Sequence, residues 1–192
     1  MNQRVPEVLY GIGIILGVLS LLVLAAMPRT SCLDRFQRLE LEPVFSGKWE
    51  TSAFLDPMDE SGQVDLSLVA DIGVSRWGDP AILHIRCRRG QLEIYIDWHE
   101  YIGGAGNGED HYLTCRLGMA KPVLSRWSYS TSGEASFYEG YSGLSTCEFV
   151  LALLDVDQFV AEVAPFMENP ITAVFDVRGL AAFPPELLAE CE

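Results

Sequence analysis

Five cysteines, three histidines and a surplus of carboxylates are the residues of this chain that could do chemistry. His99-Glu100 and Glu109-Asp110-His111 flank a glycine-rich run from Gly103 to Gly108, and two histidines with several carboxylates could be drawn around a metal ion. Their spacing matches no zinc pattern, so neither a metal ligand nor a cofactor is expected. The glycine run has no following lysine and opens no helix, which leaves a loop between strands in place of a phosphate cradle. Asp56, Asp59 and Glu60 lack the calcium-loop spacing and read as a solvated acidic turn. No nucleophile elbow, His-Glu-x-x-His pair or phosphate-binding loop occurs. Paired carboxylates are too common in an acidic chain to signal a glycosidase. No catalytic residue is expected.

Sulfur carries the stronger signal. Cys87 falls on the apolar face of a predicted strand and Cys191 on the apolar stripe of a predicted terminal helix. A bridge between them would close a loop of about 100 residues, contributing about 4–5 kcal/mol in the chain-entropy model. Cys115 and Cys147 also lie on inward faces and form a second candidate pair, which leaves Cys32 over. The competing reading makes all four buried thiols that pack as small hydrophobes. No Cys-x-x-Cys is present, against a zinc or redox site. Bridges persist in oxidising compartments, so the choice depends on where the chain resides.

Val8 to Met27 is twenty residues without a charge, about 30 Å as a helix and matched to a bilayer core. It reads as a single-pass anchor in the bacterial inner membrane, with the C-terminal domain in the periplasm. The alternative is a signal peptide cleaved near Ala25 or Ala26, giving a periplasmic protein. Arg29, Arg35 and Arg38 would by charge counting hold the following segment in the cytoplasm; the downstream cysteines argue for the oxidising side. The chain thus divides into an anchor or signal segment (1–28), a juxtamembrane linker (29–48) with Leu33, Phe36 and Leu39 to Leu41 at helical spacing, and one domain (49–192). That domain holds 8 basic and 23 acidic residues, a balance of 8 − 23 = −15. Nucleic acid is excluded as a partner, because phosphate neutralisation needs the opposite sign.

The elements that must position these groups follow from periodicity. From Ala81 to Trp98 the chain alternates on both sides of Arg89-Gly90, the pattern of a β-hairpin with one buried face. Strands are also predicted at Trp49–Phe54, Val64–Ile72, His111–Leu117, Val123–Tyr129, Glu134–Tyr138, Asp157–Val163 and Ile171–Val177. Ser145 and Glu148 have capping-box spacing before a short helix whose stripe is Cys147, Val150, Leu151 and Leu154. Leu180, Phe183, Leu187, Leu188 and Cys191 form the stripe of a terminal helix. The expected fold is α+β: a mostly antiparallel, sandwich-like sheet with two helices near the C-terminus, preceded by a transmembrane helix.

Several motifs occur together in order: Trp49-Glu50 with the loop Asp56 to Asp59; Ile85-Arg86-Cys87, then Glu93 to Ile96 and Asp97-Trp98; Thr114 to Leu117; Trp127 to Ser132 with Ala135-Ser136-Phe137; and Phe175 to Leu180 with a late Cys191. From Trp49 onward the chain resembles the VasI/TagO-like accessory proteins associated with type VI secretion. It departs from them at Asp56, usually serine, at Gly118 and Gly133, often aspartate, and at Cys115, which replaces a tyrosine. The resemblance implies a non-enzymatic envelope accessory protein that binds another protein of the envelope or secretion apparatus. A peptidoglycan-associated hydrolase or lysozyme-inhibitor-like module is the alternative. Because arginines and large aromatics dominate interface energetics, the candidate surface is Arg86, Arg88, Tyr95, Arg116 and Trp127.

Overall fold

The computed structural model describes residues 47–55, 62–104 and 109–183, the Phe54 side chain excepted. The expected membrane segment, the acidic turn at 56–60 and most of the terminal helix lie outside these residues. Nine strands follow one another: β1 (Trp49–Leu55), β2 (Gly62–Val74), β3 (Pro80–Arg88), β4 (Gln91–Asp97), β5 (Asp110–Leu117), β6 (Val123–Tyr129), β7 (Ala135–Gly140), β8 (Gln158–Val163) and β9 (Ile171–Asp176). Among the described residues one helix, α1 (Thr146–Leu154), precedes β8, and a 3-10 turn spans Leu180–Ala182.

All the pairings are antiparallel, in the order β1-β2-β3-β4-β7-β6-β5-β8-β9, and β2 also pairs with β9 at Ile72 and Val174. That contact closes eight strands into a barrel, with β1 added to the outside of β2. The expected sandwich-like sheet is therefore a closed barrel. Closure depends on β2 being long and bent. Its first half pairs with β1 and β3, its register shifts between Val69 and Val74, and its second half turns to β9. Gly73 sits at the crossing with φ +107°, and a Cβ there would lie 2.6 Å from the Ala173 Cα. Only glycine fits so close an approach.

The hairpin at Ala81–Trp98 is as its periodicity requires. Ala81, Leu83, Ile85 and Cys87 point inward from β3, and Ile94, Ile96 and Trp98 from the following strand and its end. Arg89 and Gly90 both have positive φ, the signature of a two-residue type I′ turn. An eight-stranded barrel has just enough interior for side chains to fill. Here Trp98, Trp127, Phe159 and Phe175 occupy it together with Leu66, Leu68, Leu83 and Leu113.

Helix α1 covers one end. Ser145 Oγ accepts from the Glu148 amide at 3.3 Å, and the Glu148 carboxylate accepts from the Ser145 amide at 3.0 Å, the reciprocal cap its spacing predicted. Its buried residues are Phe149, Val150 and Leu153. Of the predicted stripe only Val150 is among them, because Phe149 takes the inward position, stacking on Tyr138 at 4.5 Å and meeting Phe159 edge-on at 5.5 Å. Leu180, the first residue of the predicted terminal stripe, is buried in the 3-10 turn.

Candidate functional site

The end of the barrel opposite α1 is built from the loops β2–β3, β4–β5, β6–β7 and β8–β9. Among the described residues it gathers several large exposed apolar side chains in one place. Trp77 is 73% exposed, Tyr101 40%, Phe166 59% and Met167 88%, with Val74 beside them at 55%. Large apolar groups at loop tips stay in water only at an entropic cost to that water, so their clustering makes this end the candidate interaction surface.

The rim is held by a charged network. Glu100, only 3% exposed, accepts from the Arg76 amide at 3.1 Å and from Arg76 Nε at 3.1 Å. Arg76 Nη1 also reaches Glu168 at 3.0 Å, joining the β2–β3 loop to the β8–β9 loop. The Arg76 guanidinium lies 4.9 Å from the centre of the Trp77 ring, and Tyr101 packs edge-on to Phe166 at 6.2 Å. Ser75 Oγ accepts from the amides of Trp77 and Asp79, fixing the turn that presents the indole. Between these loops lies an open cavity of about 220 Å³, lined by Val74, Arg76, Glu100, Glu168 and Ile171 among others. Met167 has φ +59°, a rare backbone state for a bulky residue, and projects its thioether from the loop tip. The acidic Asp79, Glu109, Glu134 and Glu168 at this end outnumber Arg76, so the rim is an apolar patch in an acidic setting.

Beneath the rim lies a polar core. Ser136 Oγ accepts from Trp98 Nε1 at 2.9 Å and shares a 2.9 Å hydrogen bond with His111 Nε2. The His111 ring stacks on Tyr129 at 3.9 Å, and its buried Nδ1 has no hydrogen-bond partner among the described residues. Burial pushes the His111 pKa down to about 4, so the ring is neutral at physiological pH. Gly104 lies against Tyr129, where an added Cβ would fall 2.0 Å from a ring carbon.

The predicted interaction residues are not gathered here, and they do not form one surface. Trp127 is fully buried: on β6 it alternates inward with Ser125, whose hydroxyl accepts the indole N–H at 2.9 Å. Arg86 is largely covered and paired with Glu93 at 2.6 Å, its guanidinium lying over Tyr95 and Phe137. Tyr95 stacks between His84 and Phe137, and burial, with Asp65 adding, pushes its phenol up to about 12. Arg88 is exposed at the end of β3. Arg116 lies on β5, across the barrel from β3, and donates to Gln158 at 3.2 Å.

The histidines and carboxylates weighed as metal ligands face different partners. His99 Nδ1 contacts the Pro80 carbonyl at 2.9 Å, Glu100 holds Arg76 and His111 points into the core. Among the described residues no three such groups are arranged to hold an ion. The sulfurs divide unexpectedly. Cys87 and Cys147 are both disulfide-bonded, whereas Cys115 is a free, buried thiol. The expected Cys115–Cys147 pair is therefore absent. Cys115 faces Trp127 and Ser125 inside the barrel, and burial pushes its pKa up to about 12. The expected partner of Cys87, Cys191, lies outside the described residues.

The rim residues were missed because each sits between turn formers, where periodicity carries no information. The available signal was a large apolar residue at a loop tip, as in Arg76-Trp77-Gly78-Asp79-Pro80 and Pro165-Phe166-Met167-Glu168. The chain matches no family model, no curated protein and no solved structure.

Proposed function

We propose that this chain is a non-enzymatic accessory protein of the bacterial envelope, of the VasI/TagO kind associated with type VI secretion. In this reading residues 8–27 anchor it in the inner membrane, or are cleaved, and the barrel stands in the periplasm. The barrel presents its aromatic rim to another envelope protein. The carrying observation is the rim itself, with Trp77, Tyr101, Phe166 and Met167 exposed around the ion pair that half-exposed Arg76 makes with buried Glu100. Aromatic anchors on a rigid base are what a protein interface uses. The acidic setting favours a partner whose contact face is apolar at its centre and basic at its margin.

Two further observations support the reading. The barrel interior is filled with side chains, which directs recognition to the outer surface. Two disulfide-bonded cysteines suit an oxidising compartment. The test is photo-crosslinking in cells carrying a reactive residue at Trp77 or Phe166, with Leu124 on the outer wall of β6 as control. The expected result is a product with a component of a type VI apparatus from the two rim positions and none from Leu124. Equal products from all three, or turnover of cell-wall fragments abolished by a single carboxylate substitution, would defeat the proposal.

A further inference from the structure

Strand β1 stands apart from the barrel it touches. It pairs with β2 over seven residues in unbroken register, from Trp49 opposite Leu68 to Leu55 opposite Gly62. β9 flanks β2 on the same side only from Ile72 onward, so β1 begins where β9 ends: Trp49 Nε1 donates to the Val177 carbonyl at 3.3 Å. Beyond that junction Glu50, Thr51, Ser52 and Ala53 are all exposed, and Leu55 is 67% exposed. Side chains from both faces of the strand are in water, and no described strand pairs with its outer edge. An open edge displays alternate backbone N–H and C=O groups as a template for another strand. Three of the usual safeguards against such pairing are missing from Trp49–Leu55, which holds no proline, no lysine and no bulge.

The geometry points to a second copy of this chain as the occupant, joined through antiparallel β1–β1 pairing about a two-fold axis at Ser52. In that register Ser52 faces Ser52 of the second copy, Thr51 faces Ala53, and Glu50 faces Phe54. The strand has one charged residue, Glu50, and the register sets the two glutamates four positions apart. At about 3.3 Å per residue that is about 13 Å along the strand, beyond the screening length of about 8 Å at physiological salt. The general acidity of the domain is thus kept off the axis, and the match of seven residues against seven leaves no overhang. An edge contact of this size belongs with small, exchangeable interfaces, so the dimer is one that forms and dissociates readily. It is independent of the aromatic rim at the other end of the barrel.

The test uses the full chain in detergent micelles, with mass followed by sedimentation or light scattering as concentration is raised. The native chain is expected to dimerise. Ser52→Lys and Ser52→Glu each place like charges face to face and should weaken association at least tenfold, while an equimolar mixture of the two should restore a heterodimer. Ser52→Cys should give a disulfide-linked dimer under mild oxidation, and Glu50→Cys far less. Ser52 is exposed, and an unchanged unfolding midpoint would show that the variants remain folded. A native chain that stays monomeric, a dimer indifferent to Ser52→Lys, or a mixture that fails to reassociate would each overturn the inference.

Discussion

His84 and His111 each lie flat against a tyrosine, one on the outer wall of the barrel and one inside its mouth. His84 stacks on Tyr95 with centroids 4.4 Å apart, and His111 on Tyr129 at 3.9 Å. The rings are alike; their second partners are not. His84 meets the Asp65 carboxylate through Nδ1 at 2.9 Å, in a cross-strand row that still touches solvent. Among the described residues His111 hydrogen-bonds the Ser136 hydroxyl through one nitrogen and leaves the other buried without a hydrogen-bond partner. A dry site with one neutral partner opposes the protonation of an imidazole. The outer pair thus serves as a surface fastening between β2 and β3, and the inner pair as a neutral pin beneath the rim.

The most severe way to break the comparison is Ser136→Ala. It removes the acceptor of Trp98 Nε1 and the partner of His111 Nε2 together, leaving two buried polar groups unsatisfied. The expected loss is about 3–4 kcal/mol of unfolding free energy, read from urea titration. Acid should act on the same site. The folded pKa of His111 is lowered to about 4 from 6.5, so below about pH 6.5 the unfolded chain takes up a proton that the folded chain refuses. Stability linked to this ring is complete above that value and falls by about 3 kcal/mol as pH drops through the window to about 4. Urea midpoints at several pH values should show the slope, and His111→Phe should flatten it; an unchanged slope would contradict the assignment.

On the outer wall the effects should be smaller. Asp65→Asn removes one charge-assisted hydrogen bond at a half-wet site and should cost about 1 kcal/mol in the same titration. Smallest of all, Trp77→Ala combined with Phe166→Ala should leave unfolding within about 0.5 kcal/mol, since both side chains are mostly in water. The double variant should nevertheless lose the cross-linked product formed from the rim. A large stability loss would show that these aromatics are packing residues and not contacts held ready for a partner.

Much of the barrel was legible because a strand with one wet face writes its own period. The alternation from Ala81 to Trp98 placed its inward set correctly, Leu92 being only partly buried where it packs against the core, and Ser145 with Glu148 marked the helix start. Closure was not legible. It rests on Ile72 meeting Val174 across about a hundred residues of chain, and on a glycine whose need appears only once Ala173 lies against it. The site was misread for a related reason. Residue type suggested that Trp127 would serve an interface, yet its place on β6 and a serine two residues earlier let the indole be buried with its N–H satisfied. Cys115 was placed inward correctly, but facing direction does not name a neighbour, and its neighbours are Trp127 and Ser125.

The solitary sulfur of Cys115 also bears on how the chain must mature. While the nascent polypeptide is open, that thiol competes with Cys87 and Cys147 for every available bridge. Thiol–disulfide exchange requires the anion, and a group pushed up to about 12 and walled in by β5, β6 and β8 supplies almost none. Assembly of those three strands therefore removes a competitor that could scramble the bonds of Cys87 and Cys147. Thereafter the same atom is a stopwatch: an alkylating reagent can reach it only when the wall parts, so its labelling rate reports how often the barrel breathes open.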